Sequence, residues 1–84
     1  GLVNKVVPQA ELMDTALDYA RRIAANGPLA VRAAKELALR GQDINLAAGL
    51  RMEQLVAQIL NASEDVREGA AAFAEKRPPR FGGR

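Results

Sequence analysis

The residues whose types and spacing could do chemistry are Glu64 and Glu68, two glutamates four positions apart on one face of a predicted helix. Two carboxylates at this spacing could form a general acid and base pair. Both lie near the start of that helix, where exposed backbone N–H groups and the helix dipole favour negative charge, so the pattern is more typical of solvated side chains. Glu53 lies beside an apolar stripe without an identifiable base, metal ligand or oxyanion donor, which favours a structural role. The sequence therefore predicts no catalytic residue in this chain.

The chain contains no histidine and no cysteine. Histidine is the commonest general base near neutral pH, and cysteine supplies the thiolate for nucleophilic catalysis, disulfides and many zinc sites. Their joint absence excludes Ser-His and Cys-His catalytic arrangements and most transition-metal sites. The sequence also lacks a Gly-rich phosphate loop.

Positive charge is concentrated at the end of the chain. Residues 76–84 contain Lys76, Arg77, Arg80 and Arg84 and no acid, which gives this segment a charge of +4 in a chain of net charge +2. A basic tail can attract phosphate, nucleic acid or an acidic protein surface. A solvated charged end is the alternative interpretation.

Apolar residues recur with helical period along most of the chain, which predicts an all-α segment of three to four helices. The predicted helices cover about residues 10–25, 28–40, 45–61 and 63–77. Before them, the valines in residues 3–7 predict a short strand. This chain supplies no partner strand, so the backbone groups of such a strand must pair with a sheet outside these 84 residues.

Several residues are predicted to mark the helix ends. Asn26-Gly27 predicts a left-handed exit from the first helix, and Pro28 suits the first position of the second. Either Asp43 or Asn45 can cap the third helix.

The fourth helix is predicted to begin at a Ser63 cap and to be closed by Lys76 and Arg77, before a pair of prolines. Gly69 in its interior costs roughly 1 kcal/mol relative to alanine. Its presence predicts the close approach of another backbone or a ligand, with simple tolerance as the alternative.

The predicted core is thin. Seventeen residues are alanine, and Tyr19, Phe73 and Phe81 are the only aromatic residues. Alanine buries little apolar area, so helices built from it often need a second surface to pack on. The longest apolar runs are only a few residues, which predicts a soluble chain.

Three stretches, taken together and in order, resemble one family. They are GLVNKVVP at residues 1–8, AANGPLA with a following lysine at residues 24–35, and the SED, REG and AFAEKRPPRF motifs at residues 63–81. The chain resembles the C-terminal third of the enoyl-CoA hydratase/isomerase (crotonase) family, over essentially its whole length.

This resemblance implies a helical trimerisation and lid segment of a crotonase-fold enzyme. Residues 1–9 would be the tail of the core domain, residues 10–62 three helices, and residues 63–84 a capped helix with a basic tail. The family's oxyanion hole and two catalytic glutamates belong to the core that precedes such a segment, so the isolated chain is expected to be inactive.

Expected partners are the core of the same protein, an acyl-CoA substrate and further copies in a trimer or a dimer of trimers. No nucleic acid, membrane or metal is expected, and no cofactor beyond the coenzyme A of the substrate. The expected location is the cytoplasm, with the mitochondrial matrix as the alternative.

The resemblance also implies three ligand-binding residues. Phe73 would line the acyl or pantetheine side of the pocket, Lys76 would lie near the adenine or phosphates of coenzyme A, and Phe81 would make a contact near the adenosine end. Arg77 could serve either the ligand or the structure. The alternative from a different class is a stand-alone helical interaction module whose basic tail binds an acidic partner or nucleic acid.

Overall fold

The computed structural model describes residues 1–84 and contains four α-helices, preceded by a 3-10 turn at Gln9–Glu11. The helices are α1 (Leu12–Ala24), α2 (Pro28–Arg40), α3 (Leu46–Asn61) and α4 (Glu64–Ala74). The predicted all-α class is confirmed. Residues 1–8 form no strand within this chain, and their pairing with a sheet outside it stays a prediction.

Two of the predicted caps are present. Asn45, rather than Asp43, caps α3, because its Oδ1 accepts a hydrogen bond from the Ala48 N–H at 2.9 Å. Ser63 caps α4 in the same way, with its Oγ accepting from the Val66 N–H at 3.2 Å. Each side chain satisfies a backbone donor that has no partner within its helix.

The predicted left-handed exit from α1 is wrong. Gly27 has φ −56° and ψ 121°, and the only positive φ angles lie at Lys76 and Gly83. Because Pro28 follows, the residue before it is restricted to extended backbone. The Asn26 side-chain amide instead donates to the carbonyls of Arg22 (2.7 Å) and Ile23 (3.2 Å) at the end of α1.

The predicted end of α4 is also wrong. The helix ends at Ala74, and Lys76 and Arg77 lie beyond it. Lys76 adopts a left-handed conformation with φ 53°, which turns the chain out of the helix before the prolines are reached.

The four helices form a flat layer with little core, measuring 43 × 40 × 18 Å. Only Ala72 (1% exposed) and Asp65 (6% exposed) are buried, whereas many large apolar side chains remain exposed. The principal contact between helices is that of α2 with α3. Much of the apolar surface thus lies uncovered within this chain. None of the helices has both the length and the apolar character required to cross a bilayer.

Candidate functional site

The chain after α4 folds back along that helix and is fixed to its first turn. The Arg84 carbonyl oxygen accepts hydrogen bonds from the N–H groups of Glu64 (2.8 Å) and Asp65 (3.2 Å). In return, Asp65 Oδ1 accepts from the N–H groups of Gly82 (2.7 Å) and Gly83 (3.1 Å), and its Oδ2 also accepts from Gly83 (3.0 Å). These bonds explain why a carboxylate can be buried here, since burying a charge without such partners is costly. Residues 78–84, which we call the return segment, therefore have a defined path.

Glu68 fixes the start of the return segment. Its Oε1 and Oε2 accept from Arg77 Nη1 at 2.6 Å and Nη2 at 3.0 Å, and Oε1 also accepts from the Arg80 N–H at 2.7 Å. This is a bidentate, charge-assisted pair, the strong form of such an interaction. The Arg77 guanidinium and, to a lesser extent, the Arg80 N–H lower the pKa of Glu68 from 4.5 to about 2. The same pair raises the pKa of Arg77, whose Nε also donates to Glu75 at 2.5 Å.

Lys76 forms the turn between α4 and the return segment. The Lys76 N–H donates to the Phe73 carbonyl (3.2 Å), and the Arg77 N–H donates to the Ala72 carbonyl (3.0 Å). With Lys76 in the left-handed region, this is a Schellman motif, which usually has glycine at that position. The Lys76 ammonium takes part in none of the four salt bridges of the chain.

The three predicted ligand-binding residues fall into two places. Phe73, 88% exposed, and Lys76, also exposed, lie in one turn at the C-terminal end of α4. Phe81 is half-buried and packs beside Gly27 and Gly69 instead. Phe73 and Lys76 thus share the turn at the end of α4, whereas Phe81 packs against Gly69, earlier in the same helix.

The Phe81 ring is the group that comes close to Gly69, where the sequence predicted a backbone or a ligand. A β-carbon on Gly69 would lie 3.5 Å from Phe81 Cε1, and one on Gly27 would lie 3.7 Å from Phe81 Cδ1. Both distances are ordinary contacts. Phe81 also lines an apolar cavity of 390 Å³ between α2, α3 and α4, together with Leu29, Ala57, Leu60 and Val66.

The sequence did not reveal the roles of Asp65 and Glu68. The prediction that Glu68 is solvated is wrong, because its side chain is 23% exposed and paired with Arg77. Glu64 is paired as well, with its Oε2 2.7 Å from Arg84 Nε. The signal that was available is the pair of glycines at 82–83, because glycine adopts without strain the positive φ of 74° that Gly83 has where the chain meets Asp65.

The whole chain, residues 1–84, matches the profile of the family described as enoyl-CoA hydratase/isomerase. The chain belongs to this family. It is 42% identical over 84 residues to 2,3-dehydroadipyl-CoA hydratase of Escherichia coli strain K12, covering 100% of this chain and 33% of that protein. It is also 42% identical over 83 residues to (E)-benzylidenesuccinyl-CoA hydratase of Thauera aromatica, covering 99% of this chain and 32% of the relative.

Solved structures agree with this membership of the hydratase/isomerase family. The crystal structure of enoyl-CoA hydratase from Bacillus anthracis superposes with a TM-score of 0.96 at 43% identity, covering 100% of this chain and 33% of that one. The chain therefore spans about a third of the length of the relatives it matches. The family assignment made from the sequence motifs is confirmed.

Proposed function

We propose that this chain is the C-terminal helical segment of an acyl-CoA enzyme that hydrates or isomerises the double bond of enoyl-CoA thioesters. The observation that carries the proposal is the family match over residues 1–84. In this role the segment covers the active site, supports oligomerisation and contributes to the pocket for coenzyme A and the acyl group.

Catalysis is assigned to residues outside these 84 positions. A glutamate that acts as a general acid or base must be free to exchange a proton with the substrate. Glu64 and Glu68 are instead engaged by Arg84 and Arg77, and the chain has no histidine or cysteine to replace them.

Ligand binding is assigned to the end of α4. Phe73 offers an exposed apolar ring and Lys76 an ammonium without an acidic partner, one turn apart. Together they suit a ligand that has an apolar arm and phosphate groups, because a ring excludes water from the arm and an ammonium binds phosphate. Phe81 is proposed as a weaker contact near the adenosine end, since its ring is already partly engaged by α4.

Oligomerisation and contact with a core are supported by the uncovered apolar surface. Leu46 is 78% exposed and Ile59 is 73% exposed, both on α3. A chain with two buried residues gains little from its own packing. We therefore propose that a core domain and neighbouring subunits of a trimer or a dimer of trimers cover this layer.

The alternative of a nucleic-acid-binding module is less well supported. Two of the four cations in residues 76–84, Arg77 and Arg84, are paired with carboxylates of α4. This pairing halves the charge available to a phosphate backbone.

A hybrid enzyme tests the proposal. In it, these 84 residues replace the matched third of the E. coli 2,3-dehydroadipyl-CoA hydratase. We expect the hybrid to bind coenzyme A and to hydrate an enoyl-CoA, and the 84-residue chain alone to show no turnover. Turnover by the isolated chain, or a correctly assembled hybrid without affinity for coenzyme A, would contradict the proposal. The unaltered E. coli enzyme is the control.

A further inference from the structure

Lys76 is the only residue other than glycine with a positive φ in this chain. Glycine adopts that conformation freely, whereas a side chain is strained in it. Residues held in strained conformations persist only where their surroundings fix them, and they are concentrated at functional positions. Lysine at position 76 therefore makes the fold less stable than glycine at the same position would.

The surroundings that fix Lys76 depend on Glu68. Its carboxylate binds the Arg77 guanidinium on one side of Pro78-Pro79 and the Arg80 N–H on the other. The chain directly after Lys76 is thereby tied to the helix directly before it. The Arg77 N–H completes the turn through its bond to the Ala72 carbonyl.

The same arrangement decides which cation is left for a ligand. Arg77, adjacent to Lys76, is engaged by two carboxylates, those of Glu68 and Glu75. Lys76 is engaged by none. Glu68 thus neutralises the neighbour and leaves the Lys76 ammonium free.

We propose that Glu68 is a positioning residue for acyl-CoA binding, which acts by holding the left-handed turn that presents the Lys76 ammonium to a phosphate of the ligand. This inference rests on the proposed function, in which Lys76 contacts the phosphate-bearing part of coenzyme A. Glu68 does not touch the ligand in this arrangement.

The direction in which Glu68→Gln changes ligand affinity separates a positioning role from a simple effect of charge. Glu68→Gln removes a negative charge and leaves Arg77 paired with Glu75 alone, so electrostatics alone predicts tighter binding of a phosphate ligand. Loss of positioning predicts weaker binding. Glu64→Gln is the matched control, because it also breaks a salt bridge between α4 and the return segment, but at the end remote from Lys76.

The experiment measures coenzyme A affinity and kcat/KM of the hybrid enzyme. We expect Glu68→Gln to weaken binding about fivefold to tenfold, a range typical of residues coupled through one hydrogen-bond network. Glu64→Gln should change it by less than about twofold, as is usual for an exposed pair. Glu68→Gln should lower kcat/KM for the acyl-CoA substrate more than for a pantetheine thioester, which carries no phosphate, whereas a general structural defect would lower it equally for both substrates. In a Lys76→Met background, Glu68→Gln should have no further effect on coenzyme A binding.

Three results would each overturn the inference. They are unchanged or tighter coenzyme A binding in Glu68→Gln, equal losses of kcat/KM with both substrates, and independent effects of Glu68→Gln and Lys76→Met on coenzyme A binding. If Glu68→Gln does not fold, Arg77→Lys repeats the test, since it keeps the charge but loses the bidentate geometry. A hybrid that binds no coenzyme A before any substitution would refute the proposed function itself, and the inference with it.

Discussion

Glu68 and Arg77 face each other across the end of α4, with Glu68 Oε1 2.6 Å from Arg77 Nη1 and Oε2 3.0 Å from Nη2. The pair lies on either side of Lys76, so it closes a loop around the left-handed turn. The turn at Lys76 and the start of the return segment are consequently tied to α4 by one carboxylate.

The first prediction concerns pH. The pKa of Glu68 is lowered from 4.5 to about 2 by Arg77 and the Arg80 N–H. A lowered pKa in the folded state means that the pairing stabilises the fold fully above pH 4.5 and loses this effect progressively as the pH falls toward 2. The protection factor of the Arg80 amide, which corrects for the slower intrinsic exchange of amides in acid, should fall across that window when it is measured by NMR in the hybrid enzyme. In Glu68→Gln this acid-dependent step should be absent, and its persistence would assign the transition to another group.

The second prediction is an opposition between stability and binding at Lys76. Lys76→Gly relieves the strain of a side chain on a left-handed backbone, which costs roughly 1–2 kcal/mol per residue. The midpoint temperature of thermal unfolding of the hybrid enzyme should therefore rise. The same change removes the ammonium, so affinity for coenzyme A should fall. Lys76→Ala is the matched control, because it removes the charge but keeps the strain. A stability gain in Lys76→Ala equal to that in Lys76→Gly would show that the backbone conformation is not the cause.

The helices were predictable from the sequence because their signals are local. Asn45 and Ser63 act on N–H groups three residues away, and such spacings can be recognised without a structure. The path of the return segment was not predictable from the sequence, because its contacts are distant along the chain. Asp65 binds Gly82 across 17 positions, and Glu64 binds Arg84 across 20. Lys76 was missed for a different reason: a left-handed helix exit is expected at glycine or asparagine, and the sequence offered Asn26-Gly27 instead.

The third prediction concerns Asp65, the one buried charged residue. In Asp65→Asn, part of the acceptor capacity for the N–H groups of Gly82 and Gly83 is replaced by an amide that donates. Leaving such groups without an acceptor costs about 1–3 kcal/mol when they are buried. Hydrogen exchange of the return segment should therefore increase, while exchange in α2 and α3 should not. Asp43→Asn, at an exposed position, is the control. An equal increase in hydrogen exchange of the return segment in Asp43→Asn would argue against a specific role for Asp65.

The fourth prediction tests the placement of Phe73 on the acyl side of the pocket. Its ring is 88% exposed in this chain, so Phe73→Ala removes little packing within the four helices, and changes in the hybrid enzyme report on what covers the ring there. Each methylene buried against an apolar surface contributes about 0.8 kcal/mol, so loss of the ring should weaken long-chain enoyl-CoA substrates more than short-chain ones. The measurement is kcat/KM for a series of chain lengths. Phe81→Ala is the contrasting variant, because the Phe81 ring packs beside Gly27 and Gly69. Its loss should lower the stability of the hybrid enzyme and should change kcat/KM equally for every chain length. Equal losses for every chain length in Phe73→Ala would place Phe73 away from the acyl group.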